Sequence, residues 1–512
     1  MEIQNIPMSL ASLLTHSALT LRLASVTRRD PKSIAGLAQR RLRELLQVAA
    51  ARSSFYRVKY RGIDVTRAPL TDLPTTTKAE LREHFDQVVT DPQVRRDDVE
   101  AFVADHANLG RWFRGQYAVS HTSGSQGPPL LIVQDRRAIE ITFALMSARA
   151  NAVGRPGLRE GLRRLRNPAR IAVITMDRGF FPSGAAFEFM PEIVGPFVDP
   201  LRLSSMQADL IDRLNDFSPH VIVGYASVLE ALVRQRTHLR LPHLRQLSSS
   251  CEQLTPSARQ RIERALRVPV LDHYGTGECL LLSDGCPTNG GAHINADWAI
   301  LEVVDVAGRP VPPGTLGSKV LVTNLANRVQ PFIRYEIGDR VALATRPCQC
   351  GSRLPRIERI EGRDAEVFWI RDGQRDRLLS GVLFHHAADS LRDIREWQVE
   401  QVERNRLEVR LELVPGASLA EEGPKSRFLQ KLHELGLPQG VATEVHIVSN
   451  LGPDRATGKM RRMISHVGPP QDQSTDEQEP TCDATFSRLD AALDNSTGAQ
   501  LSRRNASAVW PR

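Results

Sequence analysis

Cysteine is scarce in this chain: six residues in 512, two of them in a Cys-x-Cys pair. That number and spacing are too few and too irregular for the disulfide framework of a secreted scaffold. Long apolar runs are also missing. The longest near the N-terminus, Ile6 to Val26, is interrupted by Thr15, His16, Ser17 and Arg22, and only Glu2 precedes it where a leader would carry basic residues. A signal peptide and a membrane span are therefore not expected, and a cytoplasmic location follows as the default. Lys and Arg number 67 against 59 Asp and Glu, a formal net charge of +8, but the basic residues are spread out and no aromatic-basic motif accompanies them. An Arg-rich solvated surface is expected rather than a nucleic-acid site, although a basic cleft would suit small polyanionic substrates. There is no internal repeat. With 41% hydrophobic and 25% charged residues, the composition is that of an ordinary globular protein of two or three domains.

The most informative stretch is Tyr117 to Val133, a Ser/Thr/Gly-rich loop between two short apolar runs. Tyr117-Ala118-Val119 and Leu130 to Val133 read as strands, with Thr122, Ser123, Gly124, Ser125 and Gly127 in the turn. Small hydroxylated residues let backbone N–H groups close on an anion, so the loop is a candidate phosphate cradle. It is not a Walker A loop, because no Gly-Lys-Ser/Thr follows. The helix comes later, with Asp135 as N-cap and Ile139, Phe143, Met146 and Ala150 at helical spacing.

Ser33 to Arg52 reads as an amphipathic helix with Leu37, Leu42, Leu45, Leu46 and Val48 on its apolar side. From Arg170 onward, strand-like runs (Ile171 to Ile174, Val221 to Val223, Val268 to Leu271) alternate with helical patterns such as Ser257 to Leu266, the signature of βα units on a parallel sheet. Turns at Asp305 to Gly308 and Gly314 to Gly317 mark a β-rich subdomain. After Gly362 the pattern becomes a compact α+β unit with an alternating strand at Leu407 to Leu413, and past about Gly468 it is polar and aperiodic. The expected organisation is α/β: a large N-terminal domain (1–361) with parallel-rich sheets and a β-rich subdomain, a small C-terminal α+β domain (362–467), and a disordered tail (468–512).

Further segments follow the loop in order: DHYGTGE (Asp272 to Glu278), PFIRYEIGDR (Pro331 to Arg340), EGRD (Glu361 to Asp364) and ATGKMRR (Ala456 to Arg462). Together they resemble the adenylate-forming superfamily of acyl-CoA synthetases. The RYEIGD form, CQCG at Cys348 to Gly351 and GGAHIN at Gly290 to Asn295 look most like the phenylacetate-CoA ligase family and its CapK-type relatives. The resemblance covers roughly residues 35 to 466. It implies the adenylate-forming fold with a mobile small domain, and ATP, Mg²⁺ and coenzyme A as cofactors and co-substrates. Carboxylate activation needs two anions held together and the triphosphate neutralised. By resemblance, Thr122, Ser123, Gly124, Ser125 and Gly127 grip the triphosphate. Tyr274 stacks on the adenine and Gly275 belongs to the nucleotide-binding set, Glu278 holds Mg²⁺, Asp339 accepts from the ribose hydroxyls and Arg363 donates to the ribose. Lys459 bridges substrate carboxylate and α-phosphate, and the small domain then turns about a hinge near Asp364 so that a thiol reaches the acyl-adenylate.

The chain departs from the pattern at Gln126, Leu130, Gly277 and Ala365. Beside the expected acid–coenzyme A ligase stand a ligase with an amine, hydroxyl or carrier-protein acceptor and a catalytically degenerate nucleotide-binding protein. Retention of Glu278, Asp339, Arg363 and Lys459 argues against the last. Two further sets of residues keep two readings each. Cys286, His293, Cys348 and Cys350 either form a tetrahedral Zn²⁺ site or are buried small hydrophobes, the Cys-x-Cys spacing being tighter than usual. Gly179 to Ala186 and Gly224-Tyr225-Ala226 either line an acyl pocket suited to an aromatic acid or are core packing at strand ends.

Overall fold

A computed structural model describes residues 10–122, 129–149, 167–175, 180–191, 194–195, 197–204, 207, 209–288, 290–363, 367–372, 375–380, 383–384, 387–388, 390–391, 393–414, 423–452 and 461–467. They fall into two units, one running to residue 365 and the other taking in 366–451 and the residues from 462. Ser123, Gly124, Ser125, Gly127 and Lys459, the hinge at Asp364, and the tail from 468 lie outside the described residues.

In the first unit, helices α1 (Leu10–Val26) and α2 (Pro31–Arg52) lead. Asp30 caps α2 by accepting from the Ser33 N–H at 2.9 Å, and Pro31 sits at the first helical position, where its missing N–H costs nothing. Leu37, Leu42, Leu45, Leu46 and Ala49 of α2 are buried at helical spacing, and four of them join Val320, Val322 and Phe332 in one core. That stripe is what the leucine spacing predicts, with Ala49 rather than Val48 as the buried member of the last turn.

Strands β1 (Tyr117–His121) and β2 (Leu131–Asp135) form the expected antiparallel hairpin, with His121 opposite Leu131. Helix α3 (Arg136–Arg149) begins at once after β2, and the Asp135 carboxylate accepts from the Ala138 N–H at 2.7 Å as its N-cap. Next comes the parallel sheet: β3 (Ala169–Thr175), β4 (Val198–Ser204), β5 (Val221–Gly224), β6 (Gln246–Ser250) and β7 (Val270–His273), in the order β4-β3-β5-β6-β7. Its central strands β3 and β5 are apolar runs, covered by helices. Ala172, Ile174, Ile222, Leu247 and Val270 share a core with Leu214, Leu229 and Ile262 from the intervening helices.

The β-rich part holds β8 (Ser283–Gly285), β9 (Ala292–Ile294), β10 (Ala299–Val304), β11 (Lys319–Asn324), β12 (Tyr335–Ile337), β13 (Asp339–Leu343) and β14 (Arg356–Arg363). They form two antiparallel sheets, β10-β11-β12 and β13-β14-β9-β8. The architecture is thus α/β, with a parallel sheet and a β-rich region.

The second unit contains the hairpin β15 (Val367–Asp372) and β16 (Arg375–Ser380), then β17 (Ile394–Glu403), β18 (Arg406–Leu413), a helix at Gly423–Glu434, β19 (Ala442–Val448) and β20 (Met463–Ser465). Its main sheet runs β19-β18-β17-β20. In β18, Leu407, Val409 and Leu411 point into a core with Phe368, Trp397 and Phe428 while the residues between them face outward, the period-2 pattern of a half-buried strand. Among the described residues no helix is long and apolar enough to cross a membrane.

Candidate active site

In a parallel α/β sheet, ligands meet the carboxyl ends of the strands. Strand β7 ends at His273, and the segment after it carries Tyr274, Gly275, Gly277 and Glu278. Tyr274 is tied back by Ser283: its N–H donates to Ser283 Oγ at 3.1 Å and its carbonyl accepts from the Ser283 hydroxyl at 2.9 Å. The Tyr274 hydroxyl donates to Asp339 Oδ2 at 2.7 Å. Asp339 is buried at the start of β13 and is the register partner of Arg363 at the end of β14. Tyr274, Asp339 and Arg363 are therefore brought together by one side-chain bond and one strand pair. A carboxylate offers about four lone-pair positions, and the Tyr274 hydroxyl takes one of those of Asp339.

The turn after Tyr274 is tight. A Cβ on Gly275 would stand 2.1 Å from the Leu280 carbonyl oxygen, a backbone contact that only glycine permits. A Cβ on Gly277 would meet Ile132 Cδ1 at 3.0 Å, Pro182 Cγ at 3.1 Å and Thr122 Cγ2 at 3.4 Å. Gly277 thus packs where the base of the Ser/Gly loop meets the start of the helix Pro182–Glu188. Glu278, one residue on, is only 6% exposed and makes no ion pair among the described residues; its carbonyl accepts from Asn324 Nδ2 at 2.7 Å. Burial pushes the neighbouring Cys279 thiol up to about 12, the Glu278 charge adding to the effect, so that thiol stays protonated.

Thr122 closes the base of the loop. Its N–H donates to the Leu130 carbonyl at 2.9 Å, and its hydroxyl accepts from the Leu130 N–H at 2.9 Å. Beside it, His121 donates its backbone N–H to the Phe180 carbonyl at 2.8 Å, and its ring meets Phe181 edge-on at 5.1 Å between centroids. Of the segments that could line an acyl pocket, Phe180, Ala185, Tyr225 and Ala226 are buried, whereas Phe181 is partly open and faces the His121 ring.

Several supporting residues escape a reading of the sequence. Arg334 of the RYEIGD segment is buried with positive φ (46°) and is a brace, not a ligand-facing charge. Its guanidinium donates to both Glu302 carboxylate oxygens at 3.1 Å and to the Thr71 and Leu73 carbonyls. Gln330 and Asn327 cap the free edge of β2: Gln330 Oε1 accepts from the Val133 N–H at 2.8 Å, and Asn327 Nδ2 donates to its carbonyl at 2.9 Å. His121 is the fourth such residue. Arg334 and His121 lie within quoted segments and Gln330 and Asn327 just before one, but no periodic signal marks the supporting role of any of the four.

Away from these groups, Cys286, His293, Cys348 and Cys350 come together, their ligand atoms all within 4.8 Å of one another. Cys286 follows β8, His293 lies in β9, and Cys348 and Cys350 lie in the connection from β13 to β14.

No protein-family profile matches the chain. It is 26% identical over 361 residues to the phenylacetate-coenzyme A ligase of Thermus thermophilus, covering 66% of this chain and 72% of that protein. With the phenylacetate-coenzyme A ligase of Escherichia coli the identity is 25% over 456 residues, 84% of this chain and 94% of the other. Among solved structures, 2-hydroxyisobutyryl-CoA ligase in its postadenylation state with 2-HIB-AMP matches with a TM-score of 0.63 at 21% identity, over 91% of this chain and 92% of that one. The fold is that of the adenylate-forming CoA ligases. Within that class the chain is phenylacetate-CoA-ligase-like in sequence.

Proposed function

We propose that the chain activates a carboxylic acid with ATP and passes the acyl group to coenzyme A. The observation that carries this reading is the joining of Tyr274 to Asp339, itself paired with Arg363, with the buried Glu278 following Tyr274 in the same turn segment. Similarity to two phenylacetate-coenzyme A ligases supports it.

In the first step an oxygen of the acid's carboxylate attacks the ATP α-phosphorus, the bond to the bridging oxygen breaks, and pyrophosphate leaves with that electron pair. In the second, the coenzyme A thiolate attacks the acyl carbon of the mixed anhydride, the C–O bond breaks, and AMP leaves. The adenine lies against the Tyr274 ring, Asp339 accepts from the ribose hydroxyls and Arg363 donates to the ribose. Residues 122–127 hold the triphosphate through backbone N–H groups and the hydroxyls of Thr122, Ser123 and Ser125. A hard cation suits the buried oxygen donor of Glu278, and bound Mg²⁺ would neutralise phosphate charge there. Lys459 supplies a positive charge to the carboxylate and α-phosphate during adenylation, and a turn of the C-terminal domain near Asp364 separates this step from thioester formation.

The acid is proposed to be aromatic. Phe181, partly open and meeting the His121 ring edge-on, gives a planar substrate a face to lie on. ATP and coenzyme A, the proposed co-substrates, fit a cytoplasmic setting. A screen of acid-dependent ATP–pyrophosphate exchange across aryl and aliphatic acids tests the reading. Exchange with an aryl acid is expected. Exchange with aliphatic acids alone would remove the aromatic preference, and none with any acid would remove the adenylation step.

A further inference from the structure

The nucleotide site leaves one group of chemically active side chains unused. Cys286 Sγ and Cys348 Sγ lie 3.4 Å apart, and Cys350 Sγ lies 3.2 Å from His293 Nε2. A disulfide would need its sulfurs at about 2.05 Å, and it would leave a thiol and an imidazole with no task. An ion about 2.3 Å from each sulfur and 2.0 Å from the nitrogen of a tetrahedral site sets its ligand atoms about 3.5–3.8 Å apart. The observed separations, from 3.2 Å to no more than 4.8 Å, bracket that spacing.

We propose that Cys286, His293, Cys348 and Cys350 hold one structural Zn²⁺, which ties the tip of the β13–β14 hairpin to the β8–β9 turn. The surroundings are those of a built site. His293 Nδ1 lies 3.1 Å from the Leu354 carbonyl oxygen. A proton on Nδ1 makes that bond and leaves the Nε2 lone pair facing Cys350, the usual arrangement for a metal-bound imidazole. The Ser352 N–H donates to Cys350 Sγ at 3.5 Å, as a backbone amide does to a metal thiolate. Gly291, with φ +65°, lets the β8–β9 turn approach β14 so closely that a Cβ there would stand 2.2 Å from the Ile357 carbonyl oxygen. The same approach pairs His293 with Arg356 across β9–β14 and brings the imidazole to the Cys-x-Cys loop. Three soft thiolates and one imidazole fill four positions and leave none for a substrate, so the ion is structural rather than catalytic.

Its place in the fold gives it a task. Cys348 and Cys350 lie in the turn of the hairpin whose opposite end carries the register pair Asp339 and Arg363. The two strands pair irregularly, with register shifts between Asp339 and Val341 and between Ala342 and Leu343. A tie at the tip fixes which residues face each other at the far end. That consequence for nucleotide binding rests on the ligase reading, whereas the metal itself does not.

The test is elemental analysis of the full chain purified without chelator or metal resin, which should find about one Zn²⁺ per chain. Cys350→Ser and Cys286→Ser should each lose most of that zinc and melt at a lower temperature. Should either variant fold poorly, the native protein still decides: titration of its thiols with an organomercurial should release zinc in step with the reaction. Cobalt(II) put in place of zinc should show the intense visible absorption of a tetrahedral thiolate site. Native protein without stoichiometric metal, or zinc retained in full after the cysteines are blocked or replaced, overturns the proposal. Zinc present but ATP–pyrophosphate exchange absent would leave the metal site standing and sink the ligase reading alone.

Discussion

The Tyr274 hydroxyl donates a 2.7 Å hydrogen bond to Asp339 Oδ2 across 65 residues of sequence. It fixes the aromatic ring relative to the carboxylate, so a nucleotide held by both would meet a preformed corner. Tyr274→Phe keeps the ring and removes the bond. A hydrogen bond to a charged group contributes about 1.5–3 kcal/mol, so the ATP KM should rise by roughly tenfold or more while the fold is retained. Steady-state kinetics at saturating acid measures this. An unchanged KM would mean that the ring holds its place without the hydroxyl.

Gly275 and Gly277 should respond differently to the same added methyl group. In Gly275→Ala the new carbon would collide with the Leu280 backbone oxygen, which can yield only if the turn moves. Overpacking of this kind costs about 1–3 kcal/mol, and more where backbone is involved. In Gly277→Ala the nearest atoms are the Ile132 side-chain tip and a proline ring carbon, so the loss should be smaller. Chemical denaturation of the two variants gives the comparison. Equal stability would contradict the turn geometry.

Burial holds the Asp272 carboxyl up at about 6, above its ordinary 3.8. The folded chain then binds this proton more tightly than the unfolded chain. Stability from this group is fully present below about pH 4, falls by up to about 1.4 kcal/mol per pH unit as pH rises to about 6, and is flat above. Asp272→Asn should remove that part of the slope in denaturation curves taken from pH 4 to 7. A slope unchanged by the substitution would assign it to other groups.

Much of this architecture was legible because period and burial act on each residue directly. The leucines of α2, the apolar runs of β3, β5 and β7, the Asp135 cap and the alternation in β18 all follow from spacing alone. The convergence of Tyr274, Asp339 and Arg363 was legible only through resemblance, since no local rule says that positions so far apart in sequence will pair. The closeness of Cys286 and His293 to Cys348 and Cys350 was suggested by residue type, but the sheet order β13-β14-β9-β8 is what brings them together. Arg334, Asn327 and Gln330 were not legible. Their partners are backbone groups and a carboxylate supplied by tertiary packing, and a buried polar residue looks in sequence like any surface one.

Lys459 is proposed to act in adenylation alone. Lys459→Ala should lower acid-dependent ATP–pyrophosphate exchange by about 100-fold or more, as expected when one positioned charge is lost from a site of developing charge, while a supplied acyl-adenylate is still converted with coenzyme A. Loss of both half-reactions to the same extent would mean a general structural role.

The central claim is tested most directly by the product balance of the complete reaction. With ATP, Mg²⁺, coenzyme A and a carboxylic acid that supports exchange, the purified chain should yield AMP, pyrophosphate and acyl-coenzyme A in equal amounts, and none of the three when the acid is left out. Formation of AMP and pyrophosphate with no thioester, while an amine or a carrier-protein thiol takes the acyl group, would contradict coenzyme A as the acceptor; ADP and phosphate in place of AMP and pyrophosphate would contradict adenylation itself.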